Sequence, residues 1–245
     1  MSELQQIKTV ITKAGNKKRA LGTARFFKTG IGQYGEGDIF IGLTVPISRV
    51  IAKQFKHLPI KNIGGLLKSK IHEERLIALL ILVEQFRNAS TSEKKIIFNF
   101  YLTHTKYINN WDLVDLSADK IIGEYLVNKP PTLLIKLAHS KSMWERRIAI
   151  VATFAFIKRG DYTITFKIAE LLLTDNHDLI HKASGWMLRE VGKRISFTIL
   201  RTFLDQHAAR MPRTMLRYSI EHLPELERKK YLIKKSQYIH NDLLN

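Results

Sequence analysis

Apolar residues recur at three- and four-residue spacing through most of this 245-residue chain, and the turns between successive runs are short. That period belongs to the α-helix, and short connections set consecutive helices beside one another. Helices are predicted over SRVIAKQF (48–55), IHEERLIALLILVEQFRN (71–88), SEKKIIFNFYLTHT (92–105) and DLVDLSADKIIGEYLVN (112–128). PTLLIKLAHS (131–140), MWERRIAIVATFAFIKRG (143–160), YTITFKIAELLLT (162–174) and HDLIHKASGWMLREVGKR (177–194) continue the series. Lys158-Arg159-Gly160 and Gly192-Lys193-Arg194 place cations and a glycine stop near helix ends, which suits the helix dipole. Pro131 and Pro212 fall where a first helical turn tolerates proline. Strand-like alternation is confined to the short DIFIGLTV, so the fold class is all-α.

The helices also repeat. A cation followed three residues later by a small residue occurs in RLIA (75–78), RRIA (146–149) and KASG (182–185), and DLSA (115–118) falls in the same frame. Spacings of 40, 31 and 36 residues suit helix-pair repeats of the HEAT or armadillo kind. The expected architecture is an α-solenoid of antiparallel HEAT-like helix pairs, forming one domain over residues 1–245. In it the small residue lets helices approach closely, and the cation lies on one curved face. Asp115 breaks the pattern by standing where the other units carry Arg75, Arg146 or Lys182. A lone carboxylate on a cationic face repels phosphates and calls for a reason.

Charge narrows the partner. Forty Lys+Arg against 22 Asp+Glu give a net charge of +18. A folded chain this basic meets a polyanion, nucleic acid first and an anionic membrane second, unless its surface is merely basic for solubility. The longest apolar runs, LIALLILV (76–83) and IAIVATFAFI (148–157), are too short to span a bilayer, so no membrane partner is expected. The opening residues MSELQQ lack the basic and apolar regions of a secretory signal. With no cysteine, thiolate nucleophiles, disulfides and Cys-based metal sites are excluded.

Three local motifs resolve into ordinary structure. GIGQYG satisfies G-x-G-x-x-G at Gly30, Gly32 and Gly35. A dinucleotide site needs a strand before the motif and a helix after it. Here cationic, helix-compatible RALGTARFFK precedes it, and Gly37, Gly42 and Pro46 follow, so residues 29–46 read as an irregular connector. HDLIH (177–181) spaces two histidines like a zinc helix, but Asp178 replaces the usual Glu and no third ligand is evident, so no metal is expected. HEER (72–75) reads as a charged, solvated turn, and Trp144, leading into an apolar run, as core.

YGEGDIFIGLTVP (34–46), YINNWDLVD (107–115), MWERRIAI (143–150), HKASGWMLREVGKR (181–194) and MPRTMLRYSIE (211–221) together resemble the DNA alkylation repair family of AlkD-like HEAT-repeat DNA glycosylases, from about residue 19 to 232. The resemblance implies a right-handed stack of helix pairs with a concave basic face that clasps double-stranded DNA. It implies excision of cationic N3- or N7-alkylated purines with the lesion left stacked. The family's aromatic–carboxylate pair is matched by Trp111 and Asp115, its later aromatic by Trp186, and its phosphate-contacting arginines by Arg147 and Arg189. The glycine-rich stretch is similar to the family's N-terminal connector. A cytoplasmic, nucleoid-associated monomer without cofactor or metal is what the resemblance implies.

The residues suit that chemistry. Trp111 and Asp115 are one helical turn apart and share a face. A fixed carboxylate stabilises the oxocarbenium-like sugar formed when the N-glycosidic bond breaks, and can orient the attacking water. Indole faces attract cationic groups by about 0.5–2 kcal/mol. Lys182, Trp186, Arg189 and Lys193 lie at i, i+4, i+7 and i+11, a strange face to bury but a good one for phosphates. Arg213 and Arg217 repeat the four-residue spacing, and RKKYLIKK (228–235) reads equally as a phosphate contact or an ordinary cationic helix. Competing readings remain for Trp111 and Asp115: Asn110 or Asp112 as a helix cap, and Asp115 paired with Lys120 or Lys158. The same scaffold also suits a non-catalytic binder of duplex, branched or damaged DNA, or a protein scaffold.

Overall fold

The computed structural model describes the backbone of residues 1–242 and the side chains of residues 1–233, so Lys234 and Lys235 of the basic tail lie outside the described side chains. Among the described residues the fold is all-α, and DIFIGLTV contributes one isolated parallel bridge, Ile39 to Ile71. Helices pack mostly on partners one to three places away in the chain, as in a solenoid. By its internal contacts the chain forms two compact units, Met1–Tyr125 and a second beginning at Leu126.

In the first unit, α1 (Glu3–Lys13) and α2 (Lys17–Phe26) start on Ser2 and Asn16, whose side chains accept N–H groups of the first turn. The connector leads into α3 (Val45–Gln54), α4 (Ile60–Leu67), α5 (His72–Asn88), α6 (Thr91–Thr103) and α7 (Trp111–Asp115). A π-helical turn, Asp119–Gly123, and α8 (Glu124–Leu126) follow. Helix α5 is the centre: it packs against α3, α4, α6 and α7, and Leu76–Val83 is buried except at Leu80. The connector presses on the start of α2 at Gly42, which has φ +82°; a Cβ there would lie 2.3 Å from the Asn16 carbonyl oxygen. The helix expected over 112–128 is broken. Ser117 Oγ donates back to the Leu113 carbonyl at 2.5 Å and pairs with the buried Tyr101 hydroxyl at 2.9 Å. Such back-bonding competes with the helical ladder and bends it.

The second unit contains α9 (Thr132–Ala138), α10 (Met143–Ala152), α11 (Phe154–Ile157), α12 (Thr163–Leu171), α13 (Asp178–Arg194), α14 (Phe197–His207), α15 (Arg213–Ser219) and α16 (Glu225–Asp242). Pro131 and Pro212 are the N-caps of α9 and α15. The helix expected over 143–160 is interrupted at Thr153, whose hydroxyl donates to the Ile150 carbonyl at 2.7 Å. Gly192, expected as a stop, lies inside α13. Helix α13 is central here, packing on α10, α12, α14 and α15. It approaches α15 so closely that a Cβ on Gly185 would lie 2.5 Å from the Met215 carbonyl oxygen.

The repeat pattern is half as expected. Its small residues, Ala78, Ala118, Ala149 and Gly185, are all buried between helices. Two of its cations do not form a face. Arg75 is 4% exposed, pairs with Asp38 at 2.7 Å and donates to the Ser69 carbonyl at 3.0 Å. Arg146 pairs with Asp175 and donates to the Ser140 and Lys141 carbonyls at 3.0 and 3.1 Å. Each arginine staples the start of its own helix to the loop before it and to a distant carboxylate. For Arg75 the reason is electrostatic: a cation this deep must be paired.

Candidate active site

Helix α7 carries the aromatic–carboxylate pair. Asn110 caps it, accepting the Trp111 N–H at 2.8 Å, so the expected capping role falls to Asn110. Trp111 is half-buried, its indole stacked on Phe27 with centroids 4.9 Å apart and planes 4° from parallel. Phe26, exposed, meets it edge-on at 5.9 Å. One indole face is therefore occupied by protein. Asp115 is also half-buried, one turn along. One of the two cations considered as its partner, Lys120, pairs with Asp119 at 2.7 Å. Burial drives the Tyr101 hydroxyl pKa well above the ordinary tyrosine value, and the nearby charges of Asp119 and Asp115 add to the rise.

Behind Trp111 lies a buried polar network. His72 is held between two carboxylates, Nδ1 at 3.0 Å from Asp38 and Nε2 at 2.8 Å from Asp112. Asn110 donates to Asp38 Oδ2 at 3.3 Å, and Arg75 donates to Oδ1 at 2.7 Å. Burial opposes charge on the His72 ring, but its hydrogen bonds to Asp112 and Asp38 outweigh it and raise the pKa above the ordinary histidine value. Burial likewise opposes the Asp38 carboxylate, yet His72 and Arg75 hold its pKa below the ordinary value. Glu73, 2% exposed, accepts the N–H groups of Ile41, Gly42 and Leu43 at 3.1, 2.7 and 3.2 Å. Glu74, 3% exposed, pairs with Lys8 at 3.1 Å. HEER is thus no solvated turn. Its four side chains fasten the connector, α1 and α7 to the start of α5.

In the second unit the four residues of the expected strip lie along one accessible edge of α13. Lys182, Trp186 and Arg189 are half-exposed and Lys193 exposed, while Ala183, Ser184, Gly185, Met187, Leu188, Glu190, Val191 and Gly192 are buried. Lys182 pairs with Asp178 at 2.8 Å, and Arg189 with Glu221 and, at 3.8 Å, Glu190. Trp186 tilts against Phe154 at 6.3 Å, and the Phe154 ring carries the Lys158 ammonium at 5.4 Å and the Arg194 guanidinium at 4.9 Å. Arg213 and Arg217 are exposed on α15. Arg147 is 5% exposed and donates to the Leu179 carbonyl. Trp144, expected in the core, is half-buried. His177 Nδ1 accepts the Leu179 N–H, and His181 Nε2 bonds the Asp175 carbonyl, so both rings have backbone partners.

The family model for "DNA alkylation repair enzyme" matches residues 7–223. The chain belongs to the DNA alkylation repair enzyme family. A solved structure described as a predicted DNA alkylation repair enzyme from Enterococcus faecalis shares the fold, with a TM-score of 0.66 at 16% identity, covering 86% of this chain and 97% of that one. No curated protein matches. Membership of the DNA alkylation repair enzyme family supports a DNA repair role, enzymatic activity and DNA as the partner. Among the described residues no helix is long and apolar enough to cross a membrane.

Local sequence reasoning missed His72, Asp38, Glu73 and Phe27, the residues that seat α7 and the connector. One signal was there. HEER runs directly into LIALLILV, and a helix apolar on nearly all sides cannot present four consecutive polar residues to water.

Proposed function

We propose that the protein is a monofunctional DNA glycosylase that excises N3- or N7-alkylated, cationic purines from duplex DNA as a monomer, without metal or cofactor. Alkylation of a ring nitrogen already makes the base a good leaving group. As the C1′–N bond breaks, its electron pair leaves with the base, and positive charge builds on the deoxyribose. The Asp115 carboxylate stabilises that charge and orients a water, whose oxygen bonds to C1′ while its proton is released. The products are free base and an abasic site. The lesion stays stacked in the duplex during the reaction. Trp111 offers its remaining indole face to the sugar or the charged base, and Trp186, on α13, is a second aromatic for cationic groups. Lys182, Arg189, Lys193, Arg213 and Arg217 supply phosphate contacts, each raising the salt sensitivity of binding. Arg147 adds its charge without leaving the core.

The observation that carries this reading is the place of Asp115: a carboxylate in the repeat position that holds arginine or lysine elsewhere, one turn from an aromatic ring locked by stacking. The test is release of free base from duplex containing N7-methylguanine. Asp115→Asn is expected to slow release by about 10²–10³-fold with duplex affinity retained. Undiminished release removes Asp115 from the mechanism. Duplex binding with no base release from N3 or N7 adducts supports the second reading, a non-catalytic binder of duplex, branched or damaged DNA, which the α13 strip favours by itself.

A further inference from the structure

Resting on the glycosylase reading, the geometry points to His72 as the positioning residue for Trp111 and Asp115: a doubly protonated imidazole that clamps α7 to the connector. Each ring nitrogen lies within 3.0 Å of a carboxylate oxygen, Nδ1 from Asp38 and Nε2 from Asp112. An ionised carboxylate only accepts hydrogen bonds. Both nitrogens must therefore donate, and a ring that donates twice is an imidazolium.

Charge counting agrees. The groups facing the ring are Asp38 from the connector, Arg75 from α5 and Asp112 from α7. Two carboxylates against one guanidinium leave one negative charge buried, and the imidazolium cancels it. A neutral ring would turn a lone pair on a carboxylate in a site 1% exposed to water, an expensive arrangement.

The clamp reaches Trp111 by two routes. Through the backbone, Asp112 is the next residue, so the Nε2 bond fixes the first turn of α7. Through the rings, His72 stacks on Phe40 at 4.5 Å, Phe40 on Phe27 at 4.9 Å, and Phe27 on Trp111 at 4.9 Å. The column begins on a buried cation and ends on the indole proposed to meet the substrate. His72 touches no reacting atom. It sets where Trp111 and, one turn on, Asp115 stand.

The first measurement is side-chain ¹⁵N NMR of the free protein at pH 7, where both His72 nitrogens are expected to carry protons. One unprotonated nitrogen overturns the inference. The second uses His72→Gln, whose amide can donate to only one of the two carboxylates. Its base release at saturating protein is expected to fall about tenfold, because small misplacements of reacting groups are costly. Undamaged-duplex affinity should stay within about twofold, and the Trp111 indole N–H resonance should shift. Wild-type release with an unshifted Trp111 resonance overturns the inference. The third is the conservative variant Asp38→Asn, in which the amide donates to Nδ1 and a neutral ring satisfies both contacts. Wild-type release should fall as pH rises through the elevated His72 pKa, and this fall should vanish in Asp38→Asn. A fall that persists unchanged counts against the clamp. Should His72→Gln fail to fold, the NMR and the Asp38→Asn profile decide. If wild-type protein releases no base, the glycosylase reading fails, while the ring's protonation and the Trp111 resonance still judge the clamp.

Discussion

Replacing Glu73 with alanine tests how the connector is held. Its carboxylate accepts three consecutive amides: Ile41 at 3.1 Å, Gly42 at 2.7 Å and Leu43 at 3.2 Å. The bonds to Gly42 and Leu43 are buried; the bond to Ile41 is partly so. A buried donor left unmade costs about 1–3 kcal/mol. Two such donors set a range of about 2–6 kcal/mol, and water entering the space of the lost side chain brings the expected loss near the lower half, about 3 kcal/mol. Glu73→Gln keeps one acceptor oxygen but turns an NH₂ group on an amide donor, so about half that loss is expected. Urea unfolding reads the stability, and hydrogen exchange at residues 41–43 reads the site. Exchange there should accelerate in Glu73→Ala while amides in the middle of α5 follow only the global loss. A change under about 1 kcal/mol, with protection at 41–43 intact, would refute the reasoning.

Gly185→Ala forces a methyl to within 2.5 Å of the Met215 carbonyl and 2.6 Å of Tyr218 Cβ. Overpacking of this kind should cost about 1–3 kcal/mol, read as a lower urea midpoint. Alanine at Lys193, Arg213 or Arg217 should each reduce the slope of log affinity against log salt by about one on any duplex sequence, measured by anisotropy titration. Stability should also depend on pH through the buried network. The Asp38 pKa is depressed, so its contribution is present above the ordinary 3.8 and lost as pH falls through the lower folded value. The His72 pKa is raised, so its contribution is full below the ordinary 6.5 and lost as pH rises through the higher folded value. Urea midpoints should therefore be highest between those limits, and Asp38→Asn should flatten the acid side.

How much of this was readable in the sequence depended on distance along the chain. The exposure of the α13 strip was legible, because a helical period is local and four polar or amphipathic residues on one face declare themselves. The same holds for the buried small residues of the repeat and for Asn110 beside Trp111. The breaks at Ser117 and Thr153 were not legible, since the apolar period runs through both and the cause is a hydroxyl turning back on its own helix. HEER was misread for a different reason. The partners of His72, Glu73 and Arg75 stand 30 to 40 residues away in the connector and α7, and local pattern carries no record of them. Family resemblance supplied the pairing of Trp111 with Asp115; spacing alone left it open.

Between Lys182 and Lys193, α13 divides into one accessible edge and an otherwise enclosed cylinder, and that limits how such a protein can diversify. Most of its side chains are committed to neighbouring helices, so substitution there disturbs the architecture before it alters recognition. Within that span, freedom to adapt lies at the positions held here by Lys182, Trp186, Arg189 and Lys193. Relatives that keep this scaffold while changing what they recognise are expected to differ first along that narrow seam.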